Sequence, residues 1–266
     1  MPLKTSLIQL VSHPDPQANI SAIAGLLERA VHAGSDVAVL PENAFCYGAS
    51  PESILDHQGR LYEQLAIWAK EHKLWLIGGS LPWMDPNFAD KPSASCFVFS
   101  PRGEEVLHYR KCHLFDADVA DAQGAYRESD HYSAGKTPGV FDTPWGKMGV
   151  GICYDLRFPE YFRLLSSAGA RAVFLPSAFT YLTGQAHWEV LVRARAIENQ
   201  VFLFAANQGG DHSSSRRTWG DTMAVDPWGQ ILARYPSGEG LITVEIDLEK
   251  QNEVRQKMPV LNHRRF

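Results

Sequence analysis

The chain has few cysteines, no long apolar run and no excess of positive charge. Its four cysteines are widely spaced and form no CxxC pair, which argues against a zinc site or a disulfide framework. Reduced thiols in a reducing compartment are therefore expected. A formal net charge of −5 gives no general positive field that would attract nucleic acid or an anionic membrane.

Membrane and metal signals are also missing from the sequence. No apolar segment approaches the length of about 20 residues that a membrane-spanning helix needs. The apolar stretch 3–11 is short and contains Gln9, so it does not resemble a secretory signal. His113 and His187 have no partner at metal-ligand spacing. We therefore expect a cytoplasmic protein with no metal, no organic cofactor, and neither a membrane nor a nucleic-acid partner.

The length and the apolar content predict one large domain. Of the 266 residues, 45% are hydrophobic, which is enough to bury a sizeable core. No linker, low-complexity tract or change of composition divides the chain, so we expect a single domain over residues 1–266. Helix-like stretches at 19–32 and 51–71 alternate with strand-like runs at 5–11, 37–40 and 74–78. This order is typical of a layered α/β domain.

Hairpins and further helices follow this first half. Three four-residue segments with proline second and glycine fourth lie between strand-like runs, at 100–103, 143–146 and 226–229. Further helices are predicted at 159–168 and 185–199, the second as a packing or interface helix. Segment 117–135 is predicted to be an irregular loop, and the Ser- and Arg-rich segment 209–218 a loop over a site.

Cys153 ends the apolar run 146–152 and opens a polar turn. A strand that delivers a thiol to a turn would expose a nucleophile at the edge of a sheet, as serine hydrolases do with a hydroxyl. The alternative is a small buried hydrophobic residue. Because a free thiol is mostly protonated at neutral pH, a nucleophilic cysteine needs a base or a cation nearby.

Glu42 and Lys111 also follow strand-like runs, and they are candidates for that base and that cation. No segment resembles the surroundings of a papain-type cysteine with its histidine, so a carboxylate is the other candidate base. A carboxylate beside a lysine stays ionised and can accept a proton, and the ammonium can stabilise an oxyanion. Alternatively, both side chains are solvated charges at strand ends.

Three segments resemble the signature blocks of the nitrilase, or carbon–nitrogen hydrolase, superfamily in their order and spacing. They are LPE at 40–42, YRKCHLFD at 109–116 and GICYDLRFPE at 151–160. The resemblance implies a four-layer α-β-β-α sandwich, dimers, and a catalytic triad. It makes Glu42 the general base, Lys111 the oxyanion stabiliser and Cys153 the nucleophile. A second glutamate that positions substrate falls on Glu128, for which a solvated loop charge is the alternative.

Further segments look like the deaminated-glutathione amidases of this superfamily. They are SAFT at 177–180, TG at 183–184, AHWEVL at 186–191, RARAIENQ at 193–200, DPWG at 226–229 and PVLNHRR at 259–265. Omega-amidases, which hydrolyse α-ketoglutaramate, share only part of this pattern. True nitrilases usually have tryptophan after the cysteine, whereas Tyr154 stands here, which disfavours a nitrile substrate.

The substrate that this resemblance implies is an anionic amide, deaminated glutathione, cleaved to 2-oxoglutarate and cysteinylglycine. Arg157 is then expected to bind the α-keto carboxylate, with Thr180 as a hydroxyl contact and Tyr154 and Phe179 as further substrate-binding residues. An ion pair of Arg157 with Asp155 or Glu160 is the alternative. The other functions left open are an omega-amidase acting on α-ketoglutaramate or another short amide, and a catalytically silent, nitrilase-like scaffold. A homodimer is expected.

Overall fold

Two β-sheets form the centre of the molecule, which the computed structural model describes for residues 2–121 and 123–265. The first sheet contains β1 (Leu3–Gln9), β2 (Val37–Val39), β3 (Trp75–Ile77), β4 (Leu81–Trp83), β5 (Ser93–Phe99), β6 (Glu105–Arg110) and β15 (Gly240–Ile246). Its strand order is β15-β1-β2-β3-β5-β4, with β6 paired to β5. A separate small hairpin joins β7 (Asp116–Asp118) to β8 (Ala125–Arg127).

The second sheet has six strands. They are β9 (Gly139–Thr143), β10 (Gly146–Val150), β11 (Ala172–Ser177), β12 (Phe202–Asn207), β13 (Thr222–Val225) and β14 (Ile231–Tyr235), in the order β14-β13-β12-β11-β10-β9. The helices are α1 (Pro16–His32), α2 (Pro51–Leu55), α3 (Gln58–His72), α4 (Pro159–Ser167), α5 (Tyr181–Asn199) and α6 (Glu249–Lys257). No helix in these ranges is long and apolar enough to cross a membrane.

Alternating side chains of the first sheet pack into two different cores. Leu7 and Val39 belong to the core shared with the second sheet, whereas Ile8 and Leu40 pack with α1 and α3. Because successive strand residues point to opposite faces, this sheet is buried on both sides. Residues of α4 and α5, such as Trp188, cover the outer face of the second sheet. The predicted four-layer α-β-β-α sandwich is confirmed.

Most predicted elements are present, but several bounds were wrong. The helix predicted over 51–71 is interrupted at Asp56, where α2 ends and α3 follows. The last predicted helix begins at Tyr181, after Thr180 as its N-cap residue, rather than at Gln185. Segment 117–135 is not simply an irregular loop, because it holds most of the β7–β8 hairpin and a 3-10 helix over Glu128–Asp130. Ala122, within that segment, lies outside the described residues.

The parallel strands of both sheets end at the same side of the sandwich. In the first sheet β1, β2 and β3 run parallel, and in the second sheet β10, β11 and β12 do. Ligand sites of α/β proteins commonly lie beyond the carboxyl ends of such strands. Glu42 follows β2 and Cys153 follows β10, so the fold places both at this edge.

Candidate active site

An ammonium group lies between two carboxylates at this edge. Lys111 Nζ donates to Glu42 Oε1 at 2.7 Å and to both oxygens of Glu128 at 2.9 Å. The side chains of Lys111 and Glu42 are only 2% and 7% exposed, so neither is the solvated charge considered from the sequence. Glu128 is not a solvated loop charge either, because its side chain is 17% exposed. The three predicted charged residues therefore form one buried cluster.

Backbone hydrogen bonds fix these charged residues. Lys111 follows β6, and its N–H donates to the carbonyl of Ala94 at 2.9 Å. Glu128 begins the 3-10 helix after β8, and its Oε2 accepts from the N–H of Phe115 at 2.6 Å. The carbonyl of Glu42 accepts from the Gln208 side chain, which follows β12 of the other sheet, at 3.0 Å. Both sheets thus hold the cluster in place.

Cys153 lies on a sharp turn after β10. The strand ends at Val150, and Cys153 starts a 3-10 helix with a φ of 44°, a left-handed conformation that is uncommon outside glycine. Backbone strain of this kind recurs where a turn presents a functional side chain. The residue is buried, with 9% of its surface exposed. The prediction that a turn presents this thiol at the sheet edge agrees with this geometry.

The charges of the cluster act on one another and on the thiol. Burial raises the pKa of Cys153 well above its usual value, and the neighbouring Glu42 adds to this, while Lys111 and a backbone hydrogen bond from Ala178 oppose it. Burial works to lower the pKa of Lys111, but the carboxylates of Glu128 and Glu42 outweigh it and the pKa lies well above the usual value. The ammonium therefore stays charged, and the resting cysteine is a thiol that needs a base.

The carboxylate of Asp155 connects the turn of Cys153 to the segment that carries Lys111. Its Oδ2 accepts from the N–H of Ile152 and from the Tyr109 hydroxyl, both at 2.7 Å. Its Oδ1 accepts from the N–H of His113 at 3.1 Å and lies 2.7 Å from His113 Nδ1. The sequence analysis considered Asp155 only as a partner of Arg157. No local signal in the sequence indicated this role, because a capping box needs serine or threonine where Ile152 stands.

Replacement of Asp155 by asparagine is expected to lower kcat about 10- to 100-fold. A displacement of the nucleophile by about 1 Å has an effect of that size. An amide cannot accept hydrogen bonds on both of its terminal atoms, so at least one of the four contacts is lost. Steady-state kinetics and thermal unfolding test this. Asp142→Asn is the matched control, since that side chain is 81% exposed and pairs only with Lys147. Wild-type kcat in the Asp155 variant would contradict the positioning role.

A cavity of about 540 Å³ opens beside the cluster and is bordered by all four predicted catalytic residues. Its wall mixes polar, apolar and aromatic side chains and includes Tyr47, Tyr126 and Tyr132, none of which the sequence analysis singled out. Arg216, from the predicted loop 209–218, also lines it. The cavity is large enough for a small organic substrate, because ligand pockets commonly measure about 300–1,000 Å³.

The four predicted substrate-binding residues surround a smaller crevice on the other side of Cys153. Tyr154, Arg157, Phe179 and Thr180 line a space of about 20 Å³. This space is enough for about one water molecule and is far smaller than the large cavity. The structure thus brings these residues next to the thiol but apart from the large cavity. Their contact with substrate stays a prediction.

Arg157 makes no ion pair among the described residues, so the pairing with Asp155 or Glu160 considered as an alternative is wrong. Its Nη1 lies 3.2 Å from His187 Nδ1. The guanidinium carbon lies 5.1 Å from the centre of the Phe179 ring, which is a cation–π distance. In the parts of the chain that the structure describes, no group of three or more His, Cys, Asp or Glu side chains could hold a metal ion.

A carboxylate, an ammonium and a thiol converging at the edge of an α-β-β-α sandwich define a hydrolase class that uses a cysteine nucleophile. The family model described as carbon-nitrogen hydrolase matches residues 4–256. Among curated proteins, the deaminated glutathione amidase of Yersinia enterocolitica is 40% identical over 98% of this chain and 92% of its own length. The omega-amidase of Xenopus tropicalis is 38% identical over 98% of this chain and 95% of its own.

Solved structures give the same assignment. The NitFhit protein of C. elegans matches with a TM-score of 0.91 and 35% identity. The match covers 99% of this chain and 65% of the NitFhit chain. Nit3 of Saccharomyces cerevisiae, a member of branch 10 of the nitrilase superfamily, matches with a TM-score of 0.89 and 34% identity over 100% of this chain and 97% of that one. This chain belongs to the carbon–nitrogen hydrolase family. It is an amidase of the nitrilase superfamily, as predicted.

Proposed function

We propose that this amidase hydrolyses deaminated glutathione to 2-oxoglutarate and cysteinylglycine through a thioester on Cys153. The observation that carries the reaction type is the Lys111 ammonium, held between Glu42 and Glu128 beside the buried thiol. The substrate is supported by the name of the Yersinia enterocolitica relative. No metal or organic cofactor enters this scheme.

Acylation begins with Glu42, whose carboxylate takes the thiol proton while the Cys153 sulfur attacks the amide carbonyl carbon. Concerted removal of the proton is required because burial keeps the thiol protonated. The carbonyl oxygen becomes an oxyanion, which Lys111 Nζ and the N–H of Tyr154 stabilise. When the intermediate collapses, the carbon–nitrogen bond breaks, Glu42 returns its proton to the amine, and a thioester remains.

Deacylation repeats these steps with water. Glu42 takes a proton from a water molecule, whose oxygen attacks the thioester carbon. Collapse breaks the carbon–sulfur bond, and the sulfur regains the proton from Glu42, so that a carboxylic acid and the free thiol are formed. Glu128 keeps the Lys111 ammonium in place throughout, because it accepts from Nζ with both oxygens. In this role Glu128 positions the cluster next to the substrate.

Substrate contacts complete the proposal. Arg157 is proposed to bind a substrate carboxylate, with Thr180 as a hydroxyl contact and Tyr154 and Phe179 as walls. Since the crevice between them measures about 20 Å³, this contact requires the crevice to open. The Arg157 guanidinium can exchange its present contacts for a substrate carboxylate, because these contacts are with an imidazole and two aromatic rings rather than with a carboxylate.

An omega-amidase that acts on α-ketoglutaramate is the second candidate, favoured by the 38% identity to the Xenopus tropicalis enzyme over nearly the whole chain. Comparison of kcat/KM for deaminated glutathione, α-ketoglutaramate and a neutral short amide tests both. A higher value for deaminated glutathione supports the first proposal, and a higher value for α-ketoglutaramate supports the second. A catalytically silent scaffold would hydrolyse none of them, and its Cys153 would not react selectively with iodoacetamide.

We further propose that the chain is one domain and that it is cytoplasmic. We also propose that it forms a homodimer whose interface lies on α4 and α5. Large apolar side chains are exposed on these helices, among them Leu164 at 55% and Val190 at 68%. Val190→Asp is expected to convert the dimer to a monomer, measured by light scattering after gel filtration. Ile67→Asp, an exposed apolar position on α3 in the opposite outer layer, should stay dimeric. A dimeric Val190 variant would place the interface elsewhere.

A further inference from the structure

In the part of the chain that the structure describes, one arginine of the large cavity forms no ion pair. Three lysine and arginine side chains line the cavity among the described residues, and two of them have carboxylate partners. Lys111 pairs with two glutamates and Arg127 with Asp118. The guanidinium of Arg216 has no ion pair and donates no hydrogen bond within residues 2–121 and 123–265, and the residue is half-buried.

The backbone holds Arg216 in a defined place. Its carbonyl accepts from the N–H of His212 at 2.9 Å, and its own N–H donates to Ser213 Oγ at 3.2 Å. The His212 ring is anchored by contacts to the carbonyl of Ser12 at 2.9 Å and to Thr218 Oγ1 at 2.7 Å. The loop that carries Arg216 is therefore tied to the body of the protein on both sides of this residue.

Arg217, the next residue, has a different environment. Its Nε lies 3.3 Å from Asp211 Oδ1, and its guanidinium carbon lies 3.8 Å from the centre of the Tyr181 ring. Arg217 therefore already has both an anionic and an aromatic partner outside the large cavity. Of the two adjacent arginines, only Arg216 faces the cavity without a partner.

The surroundings of Arg216 leave room for a ligand. The Arg216 side chain lies beside Gly48, which has no side chain; a Cβ atom at that position would be 3.5 Å from Arg216 Nη1. Burial raises the pKa values of Tyr47 and Tyr126, while the positive charge of Arg216 acts on both in the lowering direction. The guanidinium thus lies near two phenol side chains of the cavity wall. The Tyr126 hydroxyl donates to Asp121 Oδ2 at 2.8 Å, so the donor that this wall offers to an anion is the Arg216 guanidinium.

We propose that Arg216 binds a carboxylate of the substrate in the large cavity and thereby selects anionic amides over neutral ones. A planar guanidinium can donate two parallel hydrogen bonds to a carboxylate. A lysine ammonium acts as a point charge and cannot form this paired geometry. This proposal rests on the amidase reaction proposed above, and it assigns Arg216 a carboxylate in addition to the contact proposed for Arg157. The carboxylate belongs to either the acyl or the amine half of the substrate, which the substrates tested below distinguish.

Arg216→Met, Arg216→Lys and the control Arg217→Met are compared on three amides. α-Ketoglutaramate carries a carboxylate on the acyl side only, deaminated glutathione carries one on each side, and butyramide carries none. In Arg216→Met, kcat/KM for deaminated glutathione is expected to fall about 10- to 100-fold, the range for losing a hydrogen bond to a charged group. Butyramide hydrolysis should stay unchanged, and Arg216→Lys should recover part of the loss. Arg217→Met should match the wild type on all three.

The pattern of losses identifies which half of the substrate Arg216 binds. An equal loss for α-ketoglutaramate assigns the acyl-side carboxylate, and a loss confined to deaminated glutathione assigns the amine-side one. An equal loss on butyramide, or no loss on either anion, would overturn the proposal.

A second measurement separates this proposal from the proposed function. Binding of 2-oxoglutarate and of cysteinylglycine, the products of the two halves, is measured by calorimetry with wild type and Arg216→Met. If the wild type hydrolyses no amide, the proposed function fails. Weaker binding of one product by the variant would still support the anion site, and equal binding of both products would refute it.

Discussion

Replacement of Cys153 by alanine is expected to lower kcat for amide hydrolysis by about 10⁴-fold or more, as for removal of other enzyme nucleophiles. No other thiol can take over, because the sulfur must lie at the turn after β10, next to the buried Glu42 and Lys111. Quenched-flow mass spectrometry should also show that the acyl-enzyme mass, present in the wild type during turnover, is missing from the variant. Hydrolysis at the wild-type rate would rule out the thioester mechanism.

Cys112→Ala is the matched control for this experiment. Cys112 is the half-buried cysteine of the chain, and its Sγ lies 3.8 Å and 3.6 Å from the backbone carbonyl oxygens of Arg110 and Thr137. We expect this variant to keep the wild-type kcat. Both variants should unfold at similar temperatures, because removing a single sulfur leaves only a small cavity. A comparable loss in the Cys112 variant would indicate damage to the fold rather than loss of a nucleophile.

The local sequence predicted the ends of the strands that carry the catalytic candidates. β2 and β10 come from mainly apolar runs and β6 from a strand-like run of mixed polarity, and each is followed by a polar residue or a turn, so the positions of Glu42, Lys111 and Cys153 could be read from the pattern. That these three meet at one edge required the superfamily resemblance, since spacing along the chain says nothing about which strands are neighbours. The structure then shows Lys111 and Glu42 in direct contact.

The residues missed by the sequence analysis depend on tertiary contacts. β7 and β8 have three residues each and no run of apolar side chains, so neither could be distinguished from a loop. Arg195 lies on the helix predicted to serve in packing or at an interface; it is 6% exposed and its Nε donates to the carbonyl of Leu156 at 2.9 Å, which is a packing role. It thereby supports the turn of Cys153. Long-range contacts of this kind leave no periodic signal in a single sequence.

The cavity wall shows the same limit. Arg216 and Arg217 are adjacent, and the sequence offered no reason to distinguish them. Their difference arises from Asp211 and Tyr181, which pair with Arg217 and leave Arg216 facing the cavity. The substrate-binding residues predicted from the resemblance all lie on the other side of the thiol. The residues proposed to select the substrate therefore lie on segments whose positions only the fold defines.

Replacement of Glu42 by glutamine should lower kcat by about 10²- to 10⁴-fold, the usual contribution of a general base. The amide keeps the size of the carboxylate but cannot accept the thiol proton. Lys111 retains Glu128 as its counter-ion, so the ammonium is not left buried and unpaired. The fold and the binding of product should therefore survive, which calorimetry with 2-oxoglutarate and thermal unfolding can check.

Two further measurements separate loss of the base from loss of the ion pair. Glu42→Gln should react with iodoacetamide at Cys153 at least as fast as wild type at neutral pH while its amide hydrolysis falls, because the variant loses the negative charge that adds to burial in raising the pKa of the thiol. Glu104→Gln is the control, since that carboxylate lies on the surface with Arg102 as its partner. Because Glu42 acts in both half-reactions, acylation and deacylation should slow together in single-turnover experiments. A Glu42→Gln variant that forms the thioester at the wild-type rate would show that another group removes the proton.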